Sequence, residues 1–294
     1  MNTPHDLHAT SEPVAAAQCP ITDVKTFPVA ENICRVITND WVNAEYKHLV
    51  LEAPDVAVSA QPGQFFHIAC PPFGNISTYL RRPMSVYRVN RKALRLEFLY
   101  KVQGIGTSGL ATLKAGGSLD VMGPLGKGFT LPLQSRHILI LARGVGLATM
   151  APLAEHAINQ GAWVTAVLSA RSKDLLMSVE YLESVGARVF TVNDVDGSSA
   201  VGPLEKLLHM LNAEQHFDHM STCGSNRLLQ LLQRLAREWS VPAQVALEQK
   251  MGCALGMCFA CVKPFRKEPN SEQTEYRRVC WDGPVFDVLE TVSW

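Results

Sequence analysis

Three cysteines within nine residues constrain what this chain can fold into more than any other feature of its sequence. Cys253, Cys258 and Cys261 have the spacing C-x4-C-x2-C. A fourth cysteine, Cys280, follows further along the chain. Four thiolates can hold zinc or an iron–sulfur cluster, but structural zinc sites usually pair their ligands as two C-x2-C knuckles. Only one such pair is present, and the complete order is that of plant-type [2Fe–2S] proteins. The spacing therefore favours a two-iron cluster, and structural zinc or free core cysteines are the alternatives.

The residues between these cysteines are small. A cluster with four thiolates is a buried anion, so its sulfur atoms need backbone N–H donors close by. Gly and Ala let the backbone approach sulfur, and Gly also adopts backbone angles that other residues avoid. The small residues in question are Gly252, Ala254, Gly256 and Ala260. They indicate a backbone that wraps tightly around a bound group.

The composition is that of a globular chain without a preference for nucleic acid. Its 294 residues are 47% hydrophobic and 18% charged, which suffices for two domains and a small third one. The formal net charge is zero, and this argues against general nucleic-acid binding. No apolar run reaches the roughly 20 residues that a membrane span needs.

The N-terminal segment, residues 1–24, is predicted to be a flexible, polar extension. It is rich in Pro and Ala and lacks the basic start and apolar stretch of a secretory signal. We therefore expect a cytoplasmic protein, in which thiols stay reduced. The eight cysteines are then not expected to form disulfides in such a compartment. The tight grouping of four of them indicates a metal centre instead.

The hydrophobic pattern divides the rest of the chain into three parts. Residues 25–133 contain short alternating runs such as "YKHLVLEA" and "LRLEFLYKV", which predict a small antiparallel β-barrel. Residues 134–245 begin with the continuous apolar run "HILILA" and then alternate strands with helices, including a helix near 174–185. This alternation predicts a doubly wound parallel sheet. Residues 246–294 carry the four clustered cysteines and form a small cluster domain.

A two-iron cluster implies a second redox cofactor. The cluster moves one electron at a time, whereas a nicotinamide gives two electrons together as hydride, and a flavin is the usual converter. The best candidate for a flavin site is "LRRPMSVYRV" in the predicted barrel. Arg82 can meet a pyrophosphate with two hydrogen bonds, and Ser85 can reach the edge of an isoalloxazine ring. The alternative is an exposed edge strand with two solvated arginines.

Four segments of the barrel make a resemblance to a known family specific. They are "RRPMSV", "PGQFF", "YKVQGIGT" and "VMGPLGKGF", and they resemble the flavin barrel of the ferredoxin–NADP reductase superfamily. When the cysteines and "CWDGPVF" are included, residues 28–290 are similar to one branch of it: the electron-transfer subunits of the class B dihydroorotate dehydrogenases.

The resemblance implies two cofactors and a catalytic partner. It assigns FAD to Arg82, Pro83, Met84, Ser85, Leu99, Tyr100, Lys101, Gly106 and Thr107, and a [2Fe–2S] cluster to Cys253, Cys258, Cys261 and Cys280. The Gly-Thr pair opens a helix in the family, and its N–H groups suit the FAD pyrophosphate. The family hands electrons to a separate catalytic subunit, a TIM barrel carrying FMN, so a hetero-oligomer is implied. Dihydroorotate oxidation in pyrimidine biosynthesis is its best-known use.

The loop expected to bind NAD(P)H departs from the family pattern. The family usually has Gly-Gly-Gly-x-Gly followed by proline, whereas "LARGVGLATMAPL" has Ala142, Arg143 and Thr149 at the changed positions. In "TCGSN", Ser225 replaces a further proline. The candidates that remain are Gly144, Gly146, Cys223 and Gly224. Arg143 either binds a phosphate or fills the space that a dinucleotide needs.

The choice between NADH and NADPH depends on the segment "SARSKDLL". Arg171 and Lys173 follow the second predicted strand of the α/β region, where cations favour the 2′-phosphate of NADP. They can equally form a solvated turn.

Three functions are compatible with these patterns. One is a dihydroorotate dehydrogenase-type electron-transfer subunit, which the four cysteine ligands favour. Another is a subunit of a ferredoxin–NADP oxidoreductase or a sulfide dehydrogenase-type enzyme, whose relatives often use Asp as one ligand. The third is a relay module that has lost nicotinamide binding. In each case we expect the partner to dock on the cluster domain, near Met257, Phe259 and "WDGPVF".

Overall fold

The structure is a computed structural model, and it describes residues 29–293. The predicted extension, residues 1–24, lies outside the described residues. Two sheets and a short C-terminal hairpin form the fold. Among the described residues, no helix is long and apolar enough to cross a membrane.

The first sheet contains seven antiparallel strands in the order β4-β3-β7-β1-β2-β6-β5. They are β1 (Ala30–Trp41), β2 (Tyr46–Glu52), β3 (Phe65–Ile68), β4 (Arg82–Ser85), β5 (Arg88–Asn90), β6 (Arg95–Lys101) and β7 (Ser118–Leu125). The edge strands β4 and β5 are neighbours in sequence, so the sheet curls until its edges approach each other. Phe66 and Phe98 pack edge to face inside it, with ring centres 5.7 Å apart. Helix α1 (Gly104–Ala111) connects β6 to β7.

The second sheet has six strands in the order β10-β9-β8-β11-β12-β15. They are β8 (His137–Arg143), β9 (Trp163–Ala170), β10 (Arg188–Asn193), β11 (His219–Cys223), β12 (Ala243–Ala246) and β15 (Val285–Asp287). The first five are parallel to one another. Between them run α2 (Gly146–Asn159), α3 (Val179–Ser184), α4 (Val201–Glu214) and α5 (Asn226–Trp239). The sheet order reverses between β8 and β11, which places a crevice at the carboxyl ends of these strands.

The run "HILILA" forms the centre of this sheet, as predicted. Ile138 and Ile140 pack on one face, while Leu139 and Leu141 pack on the other, and none is more than 1% exposed. A strand that is buried on both faces has this continuous apolar sequence. The predicted fold class, an antiparallel barrel-like sheet followed by a doubly wound α/β domain, is therefore confirmed.

The C-terminal segment returns to the α/β sheet. It forms a hairpin of β13 (Val262–Arg266) and β14 (Thr274–Arg278), then the short helix α6 (Val279–Asp282). Strand β15 pairs antiparallel with β12, and Phe286 packs against Phe265 of the hairpin with ring centres 4.2 Å apart. The Lys127 N–H donates to the Gly283 carbonyl at 2.6 Å, which links this segment to the first sheet. The cluster segment thus touches both larger units.

The helix predicted near 174–185 is wrong in its extent. Residues 173–175 form a single 3-10 turn, and α3 begins only at Val179. Ser178 lies between them with a left-handed φ of 59°, which interrupts a continuous helix. Its hydroxyl lies 2.7 Å from the Tyr87 hydroxyl of the first sheet.

Candidate functional site

The four predicted cluster ligands form two pairs. The Cys258 N–H donates to Cys253 Sγ at 3.4 Å, and the Cys258 thiol is also within hydrogen-bonding reach of Cys253. The Cys280 N–H donates to Cys261 Sγ at 3.4 Å, and these two thiols also interact. Cys253, Cys258 and Cys261 lie on the loop between β12 and β13, and Cys280 lies in α6. The loop and the helix therefore bring all four residues together.

This arrangement fits a two-iron cluster better than a single ion. Structural zinc needs four ligands around one centre. A [2Fe–2S] cluster has two irons and four thiolate ligands, so two pairs of cysteines suit it.

Backbone N–H groups stabilise the thiolate form of the first ligand. Burial alone raises the pKa of the Cys253 thiol, but hydrogen bonds from the N–H groups of Leu255 and Cys258 outweigh it and bring the pKa to about 7. At the other pair, burial raises the pKa of Cys280 to about 12, and the neighbouring Cys261 adds to this rise. A bound metal centre would stabilise both thiolates.

The small residues of the cluster loop have a spatial reason. A Cβ added at Gly252 would lie 3.1 Å from Cys258 Sγ. Ala254 is 1% exposed and has a left-handed φ of 58°, which turns the Leu255 N–H towards Cys253. The predicted close approach of backbone to sulfur is therefore present.

Arg82 and the start of α1 lie against each other at one corner of the first sheet. Arg82 lies at the beginning of the edge strand β4, where Pro83 is tolerated because an edge position needs no ladder N–H. A Cβ at Gly106 would lie 3.1 Å from Arg82 Nε, so the guanidinium lies against the first turn of α1. The Thr107 hydroxyl accepts the Gln103 N–H at 2.7 Å and secures this turn. A guanidinium beside free helical N–H groups suits a diphosphate.

Other predicted flavin residues have partners within the protein. Met84, Leu99 and Tyr100 are buried, and the Tyr100 hydroxyl donates to Asn39 Oδ1 at 2.9 Å. Lys101 Nζ lies 2.9 Å from a carboxylate oxygen of Glu45. Tyr100 and Lys101 thus help to build the sheet behind the corner.

Ser85 connects the first sheet to the second. Its hydroxyl accepts a hydrogen bond from Thr149 Oγ1 in α2 at 2.8 Å. Thr149 also lies within hydrogen-bonding reach of Cys223, whose thiol pKa is raised by burial. The threonine at the position of the expected proline therefore joins two residues that the sequence placed in separate sites.

The two predicted nucleotide loops pack backbone against backbone. A Cβ at Gly146 would lie 2.5 Å from the Cys223 carbonyl oxygen, and one at Gly224 would lie 2.1 Å from the Arg143 carbonyl oxygen. These glycines are needed for contact between the loop after β8 and the loop after β11. Gly144 lies on the open side and lines a cavity.

The cavity lies at the carboxyl ends of β8 and β11, where the strand order reverses, and has a volume of about 220 Å³. Its lining includes Tyr46, Arg143, Gly144, Arg171, Gly224 and Glu248. Tyr46 and Glu248 are residues that the sequence analysis missed, since only the packing of the two sheets brings them here. Glu248 is reached by solvent through the cavity, yet the surrounding protein desolvates its carboxyl group and raises its pKa.

Arg143 is held at the edge of the sheet. Its guanidinium donates to Ser169 Oγ at 2.7 Å and to Asp194 Oδ2 at 2.6 Å, which spans the ends of β8, β9 and β10. The hydrogen bonds from Arg143 and Ser199 lower the pKa of Asp194 to about 2. Arg143 therefore forms part of the cavity wall.

The surface beside the cysteines is apolar. Met257 is 78% exposed and Phe259 is 64% exposed, and both flank the exposed Cys258. Trp281, next to Cys280, is 40% exposed. Exposed apolar patches of this kind mark interaction sites.

Comparisons with known proteins agree with this architecture. The profile of the iron-sulfur cluster binding domain of dihydroorotate dehydrogenase B matches residues 248–292. The dihydroorotate dehydrogenase B (NAD(+)) electron transfer subunit of Desulforamulus reducens is 32% identical and covers 83% of this chain and 92% of its own length. The subunit of the same name from Geobacillus sp. is 33% identical and covers 92% of this chain and 97% of its own.

Two solved structures share the fold. A structure of an NADH-dependent reduced ferredoxin-NADP oxidoreductase superposes with a TM-score of 0.75 at 26% identity, over 88% of this chain and 90% of the other. Ferredoxin-NADP+ reductase from Plasmodium falciparum superposes with a TM-score of 0.56 at 14% identity, over 74% of this chain and 92% of the other. The second likeness concerns the fold alone.

Proposed function

This chain belongs to the family of the dihydroorotate dehydrogenase B electron transfer subunits, and we propose that it connects a nicotinamide dinucleotide with a catalytic partner subunit through FAD and a [2Fe–2S] cluster. It is an electron transfer subunit of an oxidoreductase. The partner we propose is an FMN-containing TIM barrel that oxidises dihydroorotate in pyrimidine biosynthesis. We also propose a cytoplasmic hetero-oligomer, because cysteines that receive a cluster must stay reduced beforehand.

Cys253, Cys258, Cys261 and Cys280 would hold the cluster. The N–H groups of Leu255, Cys258 and Cys280 point at sulfur and would stabilise the negative charge of the loaded site. Because Cys258 is exposed beside Met257 and Phe259, this edge of the cluster domain would face the partner.

Arg82 and the first turn of α1 would hold the FAD diphosphate, and Ser85 would lie at the flavin edge. The Ser85 hydroxyl accepts a hydrogen bond from Thr149, so its own proton stays available to donate to the flavin edge. Met84 and Leu99 would supply apolar contact. When bound, the flavin exchanges two electrons with a nicotinamide and single electrons with the cluster.

The cavity beside Gly144 would take the nicotinamide dinucleotide. Tyr46 and Gly224 shape its wall, and the backbone beyond Gly144 begins α2, whose N-terminal groups favour a phosphate. We propose 133 and 245 as the domain limits, so the flavin barrel, the nucleotide domain and the cluster domain would each carry one site.

The observation that carries the proposal is the hydrogen bond between Ser85 and Thr149. It brings the flavin side of the first sheet to within 2.8 Å of the nucleotide side of the second. Hydride transfer requires reacting atoms about 3–3.5 Å apart, so the flavin site and the nucleotide site must adjoin each other as these two residues do.

An anaerobic visible spectrum tests the relay. We expect flavin and iron–sulfur absorbance in the purified chain, and bleaching of both after NADH is added. Flavin and cluster bands that neither NADH nor NADPH changes would contradict nicotinamide binding and leave the relay-module function. A colourless preparation with stoichiometric zinc would contradict the electron-transfer function itself.

A further inference from the structure

Glu45, in the turn before β2, contacts Arg171, the residue that the sequence indicates as a partner for the 2′-phosphate of NADP. Its carboxylate forms an ion pair with Arg171, the residue that directly follows β9 in the second sheet. Its other oxygen lies 2.9 Å from Lys101 Nζ. Glu45 thus bridges the two sheets through Arg171, which lines the cavity together with Tyr46, the neighbour of Glu45.

The turn that carries Glu45 is fixed in place. The Glu45 N–H donates to Asn43 Oδ1 at 3.0 Å, and the Glu45 carbonyl accepts the Val102 N–H at 2.9 Å. The contacts with Lys101 and Arg171 lower the pKa of Glu45, so it remains a carboxylate at neutral pH. Its side chain is only 28% exposed. The negative charge therefore stays beside Arg171.

In doubly wound folds, the residue that follows the second strand of the parallel sheet distinguishes NAD from NADP. A carboxylate there accepts a hydrogen bond from the ribose 2′-hydroxyl of NAD, whereas an arginine there accommodates the 2′-phosphate of NADP. In this chain the residue after β9 is Arg171, which by itself indicates NADP. The carboxylate in this chain is that of Glu45, which comes from the first sheet and reaches Arg171.

We infer that Glu45 makes the cavity selective for NADH over NADPH, an inference that rests on the proposed function. A 2′-phosphate carries a charge of about −2 and would have to displace Glu45 from Arg171 or lie against it. Like charges in contact are strongly unfavourable. The 2′-hydroxyl of NADH donates to the same carboxylate without any displacement. Arg171 is 57% exposed, so it is free to turn to a phosphate once Glu45 is neutralised.

Binding of ADP-ribose and of its 2′-phosphate to the FAD-loaded chain tests this inference. Isothermal titration gives both dissociation constants without any electron transfer. We expect the wild type to bind ADP-ribose about tenfold more tightly than the 2′-phosphate. Glu45→Gln should shift the ratio by about tenfold towards the 2′-phosphate. Adding Arg171→Ala to Glu45→Gln should remove that gain.

Glu52→Gln is the matched control. Glu52 lies at the far end of β2 and pairs with Arg35, 2.7 Å away, on the outer surface of the same sheet. Its replacement removes one carboxylate from an exposed ion pair and should leave the ratio unchanged.

The outcomes separate this inference from the function on which it rests. If the wild type binds ADP-ribose but Glu45→Gln leaves the ratio as it was, Glu45 is not the selector and the proposed function is unaffected. A wild type that prefers the 2′-phosphate also overturns the inference alone. A wild type that binds neither ligand overturns both the inference and the nicotinamide role.

Discussion

The cluster loop, residues 251–261, and the nucleotide loop, residues 142–149, both use small residues to allow a very close approach, but the atoms they approach differ. In the cluster loop, a Cβ at Gly252 would meet Cys258 Sγ at 3.1 Å. In the nucleotide loop, a Cβ at Gly146 would meet the Cys223 carbonyl oxygen at 2.5 Å. The first approach brings backbone close to a cysteine sulfur, and the second joins two loops of the protein.

The difference separates residues that serve a bound group from residues that serve the fold. Small residues around Cys253 and Cys258 leave room for N–H···S hydrogen bonds, which matter most when the thiolates hold a cluster. Gly146 and Gly224 are in contact with backbone whether or not a nucleotide is bound. Substitutions in the first loop should therefore change the cofactor, and substitutions in the second should change stability.

Cys258→Ala should have the largest effect, on the cofactor. Removing one of four thiolates should take the iron content from about two per chain towards zero and reduce electron delivery to the partner to background. Flavin absorbance should persist, because Arg82 and Ser85 lie on the first sheet. Iron analysis and reduction of the partner by the purified variant measure these effects.

Cys34→Ala is the control for this change. Cys34 is 1% exposed in the core of the first sheet, so its replacement should cost about 1 kcal/mol of stability and leave the iron in place. Equal partner reduction by Cys258→Ala and the wild type would remove the cluster from the electron path. Loss of the flavin together with the iron would indicate unfolding, since metal binding and folding are coupled.

Gly224→Ala should have a large effect on stability. Gly224 has a φ of 101°, and an added Cβ would lie 2.1 Å from the Arg143 carbonyl oxygen. Backbone strain and the clash together should cost about 3 kcal/mol or more, which lowers the melting temperature by about 6 °C or more. Thermal unfolding followed by circular dichroism measures the loss.

Gly197→Ala isolates the contribution of backbone strain. Gly197 also has a left-handed φ, 74°, but no atom lies within 4 Å of its added Cβ. This variant should lose only about 1–2 kcal/mol. If both variants lost the same stability, the contact between the two loops would not be the reason for glycine at 224.

The proposed cluster ligands can be named from the sequence because their spacing is local. Three of the four cysteines lie within nine residues, and spacing alone distinguishes the two-iron pattern from two zinc knuckles. The fold class is equally accessible, since "HILILA" has the continuous apolar character of a strand buried on both faces. The order of strands and helices then follows from periodicity.

The contacts between the two sheets around the cavity could not be predicted in this way. Glu45 and Arg171 are 126 positions apart and meet only because the two sheets pack together. Thr149 occupies a place where a proline is expected, and nothing in its neighbours indicates that it would bond to Ser85. Arg171 shows what this means for prediction. Its place after β9 predicts a contact with the 2′-phosphate of NADP, and only the fold shows that its partner is Glu45.

Asp194→Asn should have the smallest effect, and its pH dependence tests whether Arg143 belongs to the fold. The pKa of Asp194 is lowered from 3.8 to about 2, so its ion pair with Arg143 stabilises the folded chain above pH 4. As the pH falls towards 2, Asp194 becomes protonated in the folded chain too, and the contribution disappears. Since the Asp194 side chain is 40% exposed, screening limits it to about 1 kcal/mol.

The wild type should therefore melt about 2–4 °C above Asp194→Asn at pH 7, and the two curves should converge near pH 2. Arg143→Gly should weaken the same pH dependence, and the double variant should lose less than the sum of the two single losses, because both changes remove the ion pair that the two residues share. If the difference in melting temperature between the wild type and Asp194→Asn stayed constant from pH 7 to pH 2, packing and not charge would hold Asp194 in place. Additive losses would mean that Arg143 stabilises the chain through contacts other than Asp194, and the cavity wall would then depend on Ser169 instead.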